Sequence, residues 1–339
     1  MHSIVYSDRM MYAGWPANHG AWQWGDEFLV GFLRGEFKRK SMHDIAEPFE
    51  LMQARSLDGG RTWAAEVPGI PVDTIAVPML APYDIKDSII RVRGSYDHGG
   101  DFIDPPGCFW ASEDRGLTWH GPHPFAGLED QFTEPMINTS RSCRLGDMLF
   151  MSRADRRMWG TDETFCVSHV GGGRFKFVGT VACDQARSVM PAVARLGDRI
   201  VAACRRRKSS RSGGWIEAFG SDDGGSNWRP LGEVGETGAN NGNPPALVAL
   251  EDGRLLCCFA NRSDRRIMCA LSSDGARWEQ IVIREGGYSD IGYPQMFLRS
   301  DGVPVCVYYW SDHEIKPQHI AATAFSKLAL ASPLVGLSL

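Results

Sequence analysis

"SLDGGRTW", residues 56–63, returns in this chain as "SEDRGLTW" at 112–119 and as "SDDGGSNW" at 221–228. A shortened copy, "SSDGARW", occupies 272–278. The serines that open the four stretches, Ser56, Ser112, Ser221 and Ser272, are spaced by about 50–55 residues or by twice that, the period of a repeat architecture. A chain of 339 residues holds six such units. Within each copy the Asp side chain can accept hydrogen bonds from the N–H groups of its own turn, and Gly supplies the positive φ the turn needs. The Trp then closes the turn over apolar neighbours. Repetition of the motif therefore marks repeated sheets, and Asp58, Asp114 and Asp223 read as structural residues.

Aligned on that period, the units share an apolar strand, a Gly/Asp turn and a second apolar strand. Unit one reads "GAWQWGDEFLVGFLR" (20–34), unit three "EPMINTSRSCRLGDMLFMSR" (134–153) and unit four "VMPAVARLGDRIVAACR" (189–205). Units five and six read "NPPALVALEDGRLLCCFANR" (243–262) and "GYPQMFLRSDGVPVCVYYW" (292–310), whereas unit two, around "DSIIRVRG" (87–94), is more irregular. These are hairpin signals without a competing helical period. The expected fold is all-β, a six-bladed β-propeller of four-stranded antiparallel sheets, with residues 1–339 forming a single domain. Such rings close by sharing one sheet between the termini. "HSIVYS" (2–7) and "HIAATAFS" (319–326) are the strands expected to share unit six.

Bulk composition narrows the function by exclusion. The formal net charge is −5 and hydrophobic residues make up 43%, which gives no reason to expect nucleic acid. The one basic run, "RRRKSSR" (Arg205–Arg211), reads as a solvated loop. No apolar stretch is long enough to span a membrane, and the start carries no basic and apolar leader, so the chain as read is expected in the cytoplasm, or exported if a leader has been removed. Nine cysteines are scattered without a CxxC, and buried thiols are expected in place of disulfides or zinc. His313, Glu314, His98, His120 and His123 lack ligand spacing, and no Gly-rich phosphate loop is present. No metal and no cofactor are expected.

The eight-residue turn is similar to the Asp-box, or BNR, repeat. Across all six units the chain resembles the sialidase (neuraminidase) superfamily. The resemblance implies a site at the face opposite the boxes, with arginines gripping a sugar carboxylate, a Tyr nucleophile paired with a Glu, and an Asp acid/base. Arginine's planar fork suits a carboxylate, and a neutral phenol approaches an anionic sugar without a full negative charge. Carried over by position, the resemblance implies Arg153, Arg205 and Arg262 for the carboxylate and Tyr293, with Tyr288 as rival, for the nucleophile. It implies Asp44 or its neighbour His43 for the acid, and Glu134 or Glu217 to activate the Tyr. Pro244 stands where the family pattern suggests a Glu.

The family's Arg-Ile-Pro start is missing. In its place "WPANHG" puts Trp15, Asn18 and His19, a ring for stacking on sugar and a base or acid active near neutral pH. That string resembles sialidase-like propellers acting on rhamnosyl-glucuronate ends, in which histidines do the chemistry. The expected function is an exo-acting glycoside hydrolase that releases a terminal sugar from an acidic glycan. The alternatives are a uronate-directed lyase working through His19 or His43, and a non-catalytic glycan-binding propeller presenting Trp15, Trp22, Trp24, Tyr308, Tyr309 and Trp310. An oligosaccharide or polysaccharide is the partner in every case, and the oligomeric state is left open.

Overall fold

The computed structural model describes residues 2–40, 43–71, 76–94, 107–128, 141–153, 162–208, 213–238 and 242–325. Its strands form six antiparallel sheets in chain order. Blade 3 is Cys143–Leu145, Met148–Arg153, Glu163–Gly171 and Arg174–Ala182; blade 4 is Arg187–Leu196, Arg199–Arg207, Gly214–Ser221 and Arg229–Gly238. Blade 5 is Ala246–Ala249, Leu255–Asn261, Arg266–Ser272 and Glu279–Arg284. Blade 6 takes Gly292–Leu298, Pro304–Trp310 and His319–Ala324 from the C-terminal part and His2–Tyr6 from the N-terminal part, with Ser3 opposite Ala322. The expected closure is what the structure shows.

Blades 1 and 2 depart from four strands. In blade 1 the inner strand is split into Met11–Gly14 and Ala21–Trp24, both paired with Glu27–Phe37, and "WPANHG" loops out between them. Ile45–Ser56 and Ala64–Glu66 complete that sheet. Blade 2, irregular in sequence, shows three strands among the described residues: Ile89–Arg93, Cys108–Ser112 and His120–Pro124.

Each blade buries both faces against its neighbours, so the middle strands read as continuous apolar runs and not as a one-sided alternation. In Arg199–Arg207 the period of two sorts the side chains between partners. Ile200, Ala202 and Cys204 pack with Phe150 of blade 3, while Val201 and Ala203 pack with Phe259 of blade 5. Comparable clusters join blades 5 and 6 through Leu256 and Tyr308, and blades 6 and 1 through Phe297 and Phe28. Others join blades 1 and 2 through Trp22 and Trp119, and blades 2 and 3 through Phe109 and Phe165. The ring is thus closed by six interfaces.

The repeated turn does the work its sequence implied. Asp58 Oδ1 accepts from Arg61 N and Thr62 N at 2.9 Å, Ser56 Oγ accepts from Gly60 N at 2.8 Å, and Trp63 Nε1 donates to Gly60 O at 3.1 Å. The same Trp-to-Gly bond recurs at Trp119, Trp228 and Trp278.

Two expectations fail here. Cys258 and Cys269 lie opposite each other on adjacent strands and form a disulfide, with Cα atoms 4.3 Å apart. Scattered spacing hid the pair because the hairpin, not the sequence, brings the two together. "RRRKSSR" is not a solvated loop at its start, since Arg205, Arg206 and Arg207 continue a buried strand and are 7%, 2% and 7% exposed.

Candidate active site

Three inner strands are bent at the same end of the ring, opposite the Asp-boxes, by a bulky residue with positive φ: Trp15 (56°) in blade 1, Met190 (56°) in blade 4 and Tyr293 (51°) in blade 6. Such backbone costs an L-residue roughly 1–2 kcal/mol, and it concentrates at functional sites. Each of the three precedes a proline (Pro16, Pro191, Pro294), and a following proline disfavours the right-handed helical region. Each bend is also held from outside. Asn243 Oδ1 accepts from Tyr293 N at 3.0 Å and Ser152 Oγ accepts from Met190 N at 3.0 Å. Gln295 Nε2 donates to Pro16 O at 3.3 Å. The bends gather Ala17, Val189, Met190 and Tyr293 into one cluster.

Side-chain parity supplies the charge. Arg205 continues the Val201 and Ala203 face of its strand, and Nη1 donates to the Tyr293 hydroxyl at 3.2 Å. The same nitrogen lies 3.2 Å from Met190 Sδ. Arg262 follows Leu256, Cys258 and Ala260, the face toward blade 6, and its guanidinium carbon stands 5.5 Å over the Tyr293 ring. Burial alone pushes the Tyr293 phenol up, but the charges of Arg205 and Arg262 outweigh it and hold the phenol below its ordinary value. Arg205 itself is lowered by burial and by Arg187 and Arg262. Arg206, on the other face, pairs with Asp184 at 2.5 Å and with Glu217 at 2.9 Å.

Beside this pair stands a carboxylate that sequence reasoning did not single out. Asp290, 5% exposed, accepts from Tyr309 Oη at 2.5 Å and from Arg262 Nη2 at 3.3 Å on Oδ1. On Oδ2 it accepts from Tyr12 Oη at 2.8 Å and meets His43 Nδ1 at 3.1 Å. Burial raises its pKa, but the His43 hydrogen bond and the Arg262 charge outweigh that and leave it lowered. An ionised Asp290 orients His43 as the tautomer protonated on Nδ1, so that Nε2 is the imidazole's acceptor nitrogen. The His43 side chain is 27% exposed and stands edge-on to Trp15, with ring centroids 5.0 Å apart. Asp290 opens the stretch "DIGYPQMF" (290–297) that holds Tyr293, so proximity to the candidate nucleophile was the available signal.

The other candidates are placed as follows. Asp44 is buried and its Oδ1 accepts from Lys40 N at 2.8 Å. Asp44 therefore holds the Lys40 backbone, and among the described residues no hydrogen bond joins it to Asp290. Arg153 pairs with Glu163 on the next strand. Trp15 is fully buried against Tyr12, Tyr309 and His43, so it presents no open ring for stacking. Tyr308, Tyr309 and Trp310 are equally buried. The aromatic platform expected of a binding module thus reduces to the half-buried Trp22 and Trp24. Asn18 and His19 end the short 3-10 turn Pro16–Asn18, and Asn18 Oδ1 is buried without a hydrogen-bond partner. His19 packs over Gly31, whose missing Cβ leaves room for the His19 carbonyl. Glu134 lies outside the described residues.

Arg141 is a further residue that sequence reasoning missed. It is 3% exposed at the head of blade 3, donating through Nε to Pro191 O at 3.1 Å and through Nη1 to Pro294 O at 3.2 Å. It thereby ties two of the three bends together and lines a cavity of about 640 Å³ along the ring axis. No group of three or more potential metal ligands occurs among the described residues, and no helix there is long and apolar enough to cross a membrane. The arrangement offers an acidified phenol, two guanidiniums and a carboxylate-oriented imidazole within one network.

Comparison with known proteins agrees with the architecture. The family model described as a BNR repeat-like domain matches residues 105–306. No curated protein sequence matches the chain significantly. Among solved structures, a Dyadobacter fermentans protein of unknown function superposes with a TM-score of 0.71 at 19% identity over 95% of this chain and 97% of that one. A Hadza microbial sialidase gives 0.63 at 15% identity, over 97% and 69%. The α-L-arabinofuranosidase Arb93A of Fusarium graminearum gives 0.55 at 12%, over 97% and 98%. At these identities the likeness is one of fold.

Proposed function

The chain belongs to the family of BNR repeat-like domains, and on that premise we propose that it is a glycoside hydrolase releasing a terminal sugar from an acidic glycan, with Tyr293 as nucleophile. The observation that carries the reading is the Tyr293 phenol, held by Arg205 at 3.2 Å and acidified by two guanidiniums beside the His43–Asp290 pair. The phenolate oxygen attacks the anomeric carbon as the glycosidic C–O bond breaks, and the leaving oxygen takes a proton from the doubly protonated His43 imidazolium. His43 then takes a proton from water, the hydroxide attacks the same carbon, and the phenolate is released. Sugar and alcohol leave, and one water is consumed. Arg262 is already engaged by Asp290 and Tyr309, so it tunes the phenol, while Arg205 faces the acidic sugar. Trp15 supports the His43 ring from behind. Sialidase and arabinofuranosidase neighbours of the same fold favour a glycosidic substrate.

The same His43–Asp290 pair favours a second reading, β-elimination at a uronate, for which Tyr293 is not needed. The test is incubation with sialylated and uronate-ended oligosaccharides and weighing of the products. Hydrolysis gives masses that sum to substrate plus one water, and Tyr293→Phe abolishes it. Elimination gives masses that sum to substrate with new ultraviolet absorbance, and Tyr293→Phe retains it. No product from either class sinks both readings.

A further inference from the structure

We propose that the axial cavity is a second ligand site, entered from the Asp-box face and built for a small carboxylated sugar. The inference is independent of the role given to Tyr293. The cavity runs from Arg141, beneath the bent strand starts, to the Gly146 and Asp147 turn and Trp24 at the opposite face. On the blade 2 side it is bordered by Ile89–Arg93, the innermost strand of that sheet among the described residues, with Ile90 and Val92 in its lining. Its volume of about 640 Å³ falls within the range of small-molecule sites.

Its walls carry a surplus of positive charge among the described residues, with Lys86 offset in part by Asp84 beside it. Lys86, Arg141 and Arg144 line it, against one carboxylate, Asp147. Arg144 donates to the carbonyls of Gly146, Ile85 and Ser88 at 2.9, 3.0 and 2.9 Å, and Arg141 likewise donates only to carbonyls. Carbonyls orient a guanidinium without neutralising it. None of the ion pairs found among the described residues includes these three cations.

A fourth cation stands behind the cavity wall. Arg91 is 3% exposed and lies between the rings of Trp22 and Trp119, at 5.4 and 5.0 Å from their centroids. Its single hydrogen bond goes to Gln53 Oε1 at 3.2 Å, and its Nε and Nη1 are buried without partners. In a chain of formal charge −5, low-dielectric walls focus this local positive field on the cavity. Trp22 and Trp24 are both half-buried at the cavity; Arg91 lies over one and Arg115 over the other, so each indole has at most one face for the C–H face of a pyranose. Charge selects the carboxylate, and the rings select the sugar.

The experiment is calorimetric titration of the full chain, in low salt, with D-glucuronate, D-glucose and acetate as probes. Arg205→Gln, which disables the site at the bent strands, is expected to leave glucuronate binding at the cavity intact. Lys86→Gln, at an exposed position, and Arg144→Gln are each expected to weaken it by about tenfold. Trp24→Ala weakens glucuronate without changing acetate. The inference is overturned by absence of glucuronate binding, by equal binding of glucose or acetate, or by binding that Arg205→Gln abolishes and Lys86→Gln leaves unchanged.

Discussion

The Tyr293 hydroxyl and Arg205 Nη1 lie 3.2 Å apart although blade 5 separates the blades that carry them. Two backbone features bring them together. Tyr293 sits in a left-handed bend before Pro294, and Arg205 follows the face of its strand already committed to blade 5 by Val201 and Ala203. Replacing the cation keeps the bend and removes the charge that acidifies the phenol. In the folded protein the Tyr293 pKa lies below its ordinary value, so the phenolate fraction grows as pH rises through that lowered value. Arg205→Gln therefore moves the rising limb of kcat/KM to higher pH and lowers the rate near neutrality by about 10²–10³-fold. A pH–rate profile together with an ultraviolet titration of the phenol checks this. An unmoved limb rules out Tyr293 as the titrating group.

His43 and Asp290 separate chemistry from stability. His43→Ala is expected to lower kcat by about 10²–10⁴-fold with little change in unfolding midpoint, because the ring is partly exposed and its partner keeps three other donors. Asp290→Asn is expected to cost about 3–5 kcal/mol, since it leaves the Arg262 charge buried without its carboxylate. Urea denaturation of both variants tests the contrast. Equal destabilisation contradicts it.

The Asp-boxes set the acid limit. Asp223 is held at about 2 by the backbone and side-chain bonds of Asn227. Asp58 also lies at about 2, where bonds from Thr62, Ser56 and Arg61 outweigh its burial. Both are depressed carboxylates, so their contribution is fully present above the unfolded pKa of roughly 4 and is lost as pH falls through the folded value. Unfolding midpoints are thus expected to hold from neutrality to about pH 4 and to drop between about pH 4 and 2. Asp58→Asn and Asp223→Asn together should flatten that drop, which thermal melts across the range will read.

How much of this was legible follows from the reach of each interaction. The Asp-box bonds span two to four residues, from Ser56 to Asp58 and Gly60, so the turn, the period and the ring could be read from the string itself. The network on Asp290 could not, because Tyr12 lies 278 positions away and His43 lies 247 away. Arg153 ends its strand and Arg262 directly follows one, whereas Arg205 lies two residues inside its strand, and strand parity decides which way each points. Arg205 joined Tyr293 while Arg206 turned to Asp184. Buried aromatics such as Tyr308 and Tyr309 read as stacking surfaces in the sequence because strands enclosed on both sides leave no polar alternation to warn otherwise. The three bulky-residue–proline pairs at 15–16, 190–191 and 293–294 were visible, and their common meaning emerged only once the inner strands were aligned in space.

The cross-strand pair Cys258–Cys269 gives the last prediction. The nine cysteines of the chain divide into this disulfide and seven free thiols. Cys257 and Cys258 are adjacent, yet the strand sends Cys257 toward blade 4 and Cys258 toward blade 6, so only Cys258 can reach Cys269. Burial raises the thiols of Cys257 and Cys306, which keeps them protonated and slow to exchange with the bridge at neutral pH. Denatured but unreduced protein should therefore react with seven equivalents of a thiol reagent, and with nine after reduction. Cys258→Ala with Cys269→Ala should lose the difference and lower the unfolding free energy by about 2–4 kcal/mol. Nine reactive thiols before reduction would mean that the two sulfurs are packed together without a bond, and the loss of stability should then shrink to that of two small buried side chains.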